Sequence, residues 1–144
     1  MSVKQISVFL ENKPGTLFNM TKTLADNGID LRAMMLAETK DFGIARIITN
    51  DVFETATVLK DNGFVNSLTD VLAVAVQDEK GGLAQILTEF AKAEVNVEYM
   101  YSALASKATG QAYMIMRVTD TISAEKTLKG MNVRLVSQDE LSDM

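Results

Sequence analysis

The chain repeats itself, and that limits what it can fold into. Leu17 recurs as Leu83, 66 residues further on (83 − 17), and Ile29-Asp30-Leu31 recurs as Val95-Asn96-Val97 at the same spacing. Leu59 recurs as Leu128, so the second copy carries about three more residues in its central turn. Each copy is roughly 70 residues long, a size that buries only a marginal core on its own.

Hydrophobic spacing orders the elements within each copy. Lys4 to Leu10 alternates, with Ile6, Val8 and Leu10 on one face, which predicts a half-buried strand. Leu17, Met20, Thr21, Leu24 and Ala25 then recur at helical period, and Asn27-Gly28 marks the helix end. Ile29 to Ala37 alternates again, which places Ile29, Leu31, Ala33 and Met35 on one face. A polar turn from Thr39 to Gly43 leads to a strand over Ile44 to Thr49. Asp51 and Glu54 form a capping box for a helix that turns Val52, Ala56 and Leu59 inward and stops at Gly63. Phe64 and Val65 begin a short fourth strand.

The second copy follows the same order. Asp70 to Val76 is almost continuously apolar and predicts a strand covered on both faces. Leu83, Ile86, Leu87, Phe90 and Ala91 make a helical stripe, and Val95 to Ala103 places Val97, Tyr99 and Tyr101 on one face. A turn at 106–110, a strand from Gln111 to Val118, a helix from Ile122 to Lys129 and a strand from Val133 to Val136 complete it. The expected fold is α+β: two ferredoxin-like βαββαβ units, 1–68 and 69–144. Right-handed crossovers give each an antiparallel four-stranded sheet with two helices on one face. The other face is bare, which leaves two ways to combine the units, by sheet edges or by sheet faces.

Composition excludes several chemistries. The net charge of −5 argues against a nucleic-acid partner, which needs clustered Lys and Arg. With no cysteine there are no disulfides, thiolate metal sites or Cys nucleophiles, and with no histidine the commonest base and metal ligand are missing. The reading is therefore of no catalytic residue, no metal and no cofactor. No secretory pattern opens the chain and no apolar run reaches membrane-spanning length, so a soluble cytoplasmic protein is expected.

The chemistry concentrates in Glu11-Asn12-Lys13-Pro14-Gly15-Thr16-Leu17, a small-residue corner between a strand and a helix. The first turn of a helix has unpaired N–H donors at the positive end of its dipole, a place to hold a small carboxylate. The plainer reading is a tight Pro-Gly turn. A weaker echo, Gln77-Asp78-Glu79-Lys80-Gly81-Gly82-Leu83, occupies the same place in the second copy.

On Phe9 to Leu17, then Leu24-Ala25-Asp26-Asn27-Gly28-Ile29-Asp30-Leu31, and again on Gly81-Gly82-Leu83, Phe90-Ala91 and Glu94-Val95-Asn96-Val97, the chain resembles the ACT domain family twice over. The resemblance implies a regulatory module that binds an amino acid or a related metabolite. Its ligand would lie between the strand-helix corner of one unit and the second strand of its partner. Carried over, the first corner is Asn12, Lys13, Pro14, Gly15, Thr16 and Leu17, and Asn12 would meet Asn96 across one pocket. The opposite pocket would combine Asp78, Gly81, Gly82 and Leu83 with Asp30. There Lys80 replaces the family's proline, and the two acids would repel a carboxylate. Tyr99, Met34 and Met100 would tune side-chain selectivity, although strand period also makes Tyr99 a packing residue. The implied partners are an amino acid, a second copy in a homodimer and a metabolic enzyme. Two competing classes remain: a structural adaptor with vestigial pockets, and a small enzyme using Asp30 and Asp78 as a carboxylate pair.

Overall fold

The computed structural model describes residues 2–104 and 110–144, so the turn expected at 106–110 lies outside the described residues except for Gly110. The first half runs β1 (Val3–Glu11), α1 (Thr16–Asp26), β2 (Leu31–Glu38), β3 (Phe42–Thr49) and α2 (Val52–Asp61). Then follow β4 (Asn66–Gln77), α3 (Gly82–Lys92), β5 (Val97–Ser102), β6 (Gln111–Val118), α4 (Thr121–Gly130) and the short α5 (Gln138–Ser142). The fold is α+β, with one antiparallel six-stranded sheet in the order β2-β3-β1-β4-β6-β5. Among the described residues no helix is long and apolar enough to cross a membrane.

The strand expected to begin at Phe64 and the strand expected at Asp70 are one. No Gly or Pro interrupts Phe64 to Val76, so β4 runs straight through the expected boundary at 68/69. Its first half pairs with β1 from Val8↔Asn66 to Val3↔Val71, and its second half pairs with β6 from Leu72↔Met116 to Gln77↔Gln111. Where β1 stops, the 133–136 segment takes over the same edge of β4. Ala75 N–H donates to Arg134 O at 2.9 Å, and Val136 N–H donates to Ala73 O at 2.8 Å. That segment forms an isolated bridge, Val74↔Leu135, rather than a full strand.

The expected facing of the second strand in each unit needs correction. A register shift lies between Leu31 and Ala33, and another at the equivalent place between Val97 and Tyr99. An extra residue in a ladder reverses the facing of everything after it. Ile29, Leu31 and Met34 therefore pack under α1 and α2, whereas Ala33 and Met35 face the opposite side. Val97 and Met100 pack with α3 and α4, whereas Tyr101 faces away from them. In α2 the inward residues are Val52, Thr55, Val58 and Leu59 rather than Ala56. Thr55 is tolerated there because its hydroxyl bonds to Asp51 O and to the Thr49 hydroxyl.

Those reversed side chains build a third core. One core lies under α1 and α2, a second under α3 and α4, and the third between the helix-free faces, where Val3, Ile48, Val71 and Ala73 meet Tyr101, Ile115 and Leu141 of α5. The sheet curls until its edge strands touch, through the bridge Ala33↔Ala103 and the bond from Leu104 N–H to Arg32 O at 2.8 Å. The units thus pack faces and also meet at an edge.

Polar groups are buried in this third layer, with Gln5 and Ser7 side by side on β1. Gln5 is fully buried; its amide donates to the Tyr99 hydroxyl at 2.8 Å, and its carbonyl accepts from the Tyr101 hydroxyl at 2.7 Å. Arg46 of β3 stacks over the Tyr99 ring at 4.0 Å. Gln5→Leu leaves both hydroxyls without their partner and is expected to lower the unfolding free energy by about 2–3 kcal/mol in urea denaturation. Burial, with Tyr99 adding and Arg46 opposing, raises the Tyr101 hydroxyl pKa well above its ordinary value. The unfolded chain releases that proton near pH ~10 while the folded chain keeps it, so stability falls as pH rises past ~10, and Tyr101→Phe should flatten that fall.

Candidate functional site

In the first corner β1 ends at Glu11 and α1 starts at Thr16. Gly15 makes the turn at φ 90°, a conformation that disfavours any side chain, and it offers the helix no side-chain cap. The Thr16 hydroxyl closes the loop by donating to Glu11 O at 2.7 Å and Lys13 O at 3.0 Å. Asn19 N–H bonds to Gly15 O, but among the described residues the N–H groups of Leu17 and Phe18 have no backbone acceptor outside the helix. Donors therefore face outward at the positive end of α1.

Beside that helix start lies a cavity of about 80 Å³, lined by Asn12, Lys13, Thr16 and Leu17 together with Leu36 and Glu38 of β2. The Asn12 amide N–H₂ clamps the β2–β3 turn, donating to Thr39 O at 3.0 Å and to Lys40 O at 3.4 Å, which turns its carbonyl oxygen away from those acceptors. Lys13 pairs with Glu11 at 3.0 Å. The cavity is thus lined by the helix start on one side and by Glu38 of β2 on the other, with Glu11, which is paired with Lys13, at the end of β1. Sequence reading missed Glu38; its only signal was its place at the end of the second strand.

The second corner has the same skeleton and different contents. Gly81, at φ 81°, turns into α3, and Gly82 replaces Thr16. A Cβ at Gly82 would lie 2.4 Å from Gln77 O, so the helix start approaches the end of β4 more closely than any side chain allows. Next to it is a cleft of about 260 Å³ lined by Gln77, Gly82, Gln85, Gln111 and Arg134. Of Asp78, Gly81, Gly82 and Leu83, only Gly82 lines the cleft. Asp78 is exposed and donates its N–H to Gly110 O at 2.8 Å. A larger concavity, about 670 Å³, is an open groove between α2 and the start of β4, away from both corners.

The remaining expected residues lie elsewhere. Asn96 sits just before β5, its N–H bonded to the Thr119 hydroxyl at 3.2 Å. Asp30 precedes β2 and pairs with Arg32 at 3.1 Å. Tyr99 spends its ring and hydroxyl on Arg46 and Gln5 of the first unit. Among the described residues no hydrogen bond or ion pair joins Asn12 to Asn96, or Asp30 to Asp78, and each corner cavity is lined from its own half of the sheet.

A family model described as an ACT domain pair matches residues 1–144. Among solved structures, a protein from Bacteroides thetaiotaomicron is similar to all of this chain and 98% of its own, at 36% identity and TM-score 0.92. The regulatory subunits of aspartate kinase from Thermus thermophilus, in its ligand-free form, and from Thermus flavus are similar at TM-scores of 0.65 and 0.64. Their identities are 15% and 16%, each match covers 90% of both chains, and at that identity the likeness is one of fold. No curated protein matches the chain.

Gly82→Ala is expected to destabilise the fold by about 2 kcal/mol, because backbone rather than a flexible side chain blocks the new methyl group. Gly15→Ala meets no neighbour within 4 Å and should cost only the strain of its left-handed turn, about 1 kcal/mol. Denaturant melts of the two variants check that order.

Proposed function

The chain belongs to the ACT domain family, and from that premise we propose that it is a regulatory module that binds an amino acid and catalyses nothing itself. One observation carries the reading: the uncapped start of α1 and Glu38 at the end of β2 line the same small cavity. A zwitterion fits that polarity. Its carboxylate takes the N–H groups of Leu17 and Phe18, and its ammonium takes Glu38 and the Asn12 carbonyl oxygen. About 80 Å³ accommodates a head group, with the side chain directed outward.

Lys13, Pro14, Gly15 and Thr16 serve this site by holding the corner. Asp78, Gly81, Gly82 and Leu83 form the weaker second corner. Asn96, Tyr99 and Asp30 lie outside both corner cavities and serve by holding the structure: Asn96 and Asp30 at the turns before β5 and β2, and Tyr99 by joining the units through Gln5 and Arg46. The signal is linkage: a ligand shifts an equilibrium only by its differential affinity for two arrangements. Here the arrangements are two states of association, with a second copy of this chain or with a metabolic enzyme in the cytoplasm. The aspartate kinase regulatory subunits of like fold lend that reading support by analogy alone.

A thermal-shift screen of the twenty amino acids tests it. A ligand at about 100 times its Kd adds about 2.7 kcal/mol, equivalent to a rise of several degrees. In calorimetry Glu38→Gln and Asn12→Ala should each weaken the responding amino acid about tenfold. No response to any of the twenty favours a structural adaptor and overturns the proposal.

A further inference from the structure

The first half of β4 has a neighbour on one side only. Phe9 N–H donates to Val65 O at 3.0 Å, and an antiparallel ladder alternates. Val65, Ser67 and Thr69 therefore turn their backbone groups to β1, while Asn66, Leu68 and Asp70 turn theirs away. From Leu72 onward β6 takes the groups on that outer side. Before Leu72 the pairing with β6 stops, Arg117 Nη1 donates to Asp70 O at 2.9 Å, and the chain turns into α4. Among the described residues no strand meets the outward N–H and C=O groups of Asn66 and Leu68.

Free edges are ordinarily blunted by Lys, Pro, a bulge or a covering segment. Phe64 to Thr69 has none of these. The run reads Phe-Val-Asn-Ser-Leu-Thr, its register with β1 is unbroken from Asn66, and Val65 and Leu68 stay 67% and 43% exposed. The other edges are used within the chain or are too short. β2 and β5 meet each other at Ala33↔Ala103, and the 133–136 segment makes only an isolated bridge. Alongside the free edge runs the 670 Å³ groove, with Ala56, Thr57 and Lys60 of α2 on one wall and Leu68 on the other.

We propose that a second copy of this chain docks here, strand against strand, about a twofold axis that sets Asn66 of each copy opposite Leu68 of the other. An antiparallel edge is its own complement, because the donors and acceptors of these two residues match those of a copy turned end for end. The helices of both copies then lie on one side of the joined sheet, so α2 meets α2 and the groove closes over Leu68. The charges agree with that orientation. Lys60 lines the groove beside the start of the strand and has no ion pair among the described residues. Asp70, further along, lies on the same side of β4 as Leu68 and Leu72, toward the helices. The antiparallel turn brings each Lys60 to the Asp70 of the other copy. One strand edge and one helix flank make a small interface, about 1,200 Å² in total, so the dimer is reversible. This surface serves the association with a second copy that the regulatory reading invokes, and it needs no bound amino acid.

Sedimentation equilibrium of the whole chain without amino acids, from about 1 to about 300 µM, tests this for a dimer Kd of about 10–100 µM. A monomer–dimer equilibrium is expected, and Leu68→Lys, which places a charge on the edge, should abolish it. Lys60→Glu and Asp70→Lys should each weaken the dimer about tenfold or more, and the two together should restore it to within about threefold. A damaged fold does not produce that rescue. A monomer at every concentration, an open-ended polymer, a dimer indifferent to Leu68→Lys, or a double variant no better than the single ones overturns this proposal. None of those results touches the amino-acid reading. That reading fails instead if the twenty amino acids give no thermal shift, a result that leaves the dimer standing.

Discussion

The twelve residues of β4 belong to both repeats at once. Asn66 to Val71 complete the sheet of the first unit, Leu72 to Gln77 begin that of the second, and no flexible linker separates them. A pleated strand fixes direction, register and facing along its length, so the placement of one unit dictates that of the other. The alternation within β4 then divides the cores: Leu72, Val74 and Val76 pack under α3 and α4, and Val71, Ala73 and Ala75 pack between the units. Each small unit escapes its marginal size because Val71 to Val76 of this strand are buried on both faces.

From that constraint follows the covering of the helix-free faces. They close on each other, and the shifts in β2 and β5 supply the side chains for the purpose. Without the shift Ala33, Met35 and Tyr101 would point toward the helices, leaving the middle layer short of apolar surface. α5 seals the layer with Leu141, its start held by a reciprocal cap between Ser137 and Glu140. Arg134 joins that cap to Tyr113, so the second corner, the C-terminal helix and the middle core form one connected set of contacts.

The corners occupy equivalent places and have diverged in chemistry. Thr16 fills the first with a hydroxyl that bonds back to the loop, and a small cavity remains whose polarity suits a zwitterion. Gly82 leaves the second without that side chain, and glutamines line the larger cleft beside it. The corner motif was legible in the sequence because Pro14-Gly15 and Gly81-Gly82 are local devices. Glu38, Gln85, Gln111 and Arg134 were not, because strand register and the return of the chain after α4 bring them to the corners from distant positions.

The sequence by itself determined the twofold repetition, the order of strands and helices as far as α4, the caps at Asp51 and Gly28 and the apolar faces of α1 and α3. All of these depend on neighbours within a few turns of chain. Tertiary structure alone decided that two expected strands fuse into β4, that β2 and β5 reverse their facing partway along, and that the units share a core. Those outcomes depend on which surface remains to be covered once the helices have docked, a quantity set by the whole molecule and by no short window of it. It also decided which polar side chains meet at each corner, since hydrogen-bond geometry across strands has no counterpart in linear spacing.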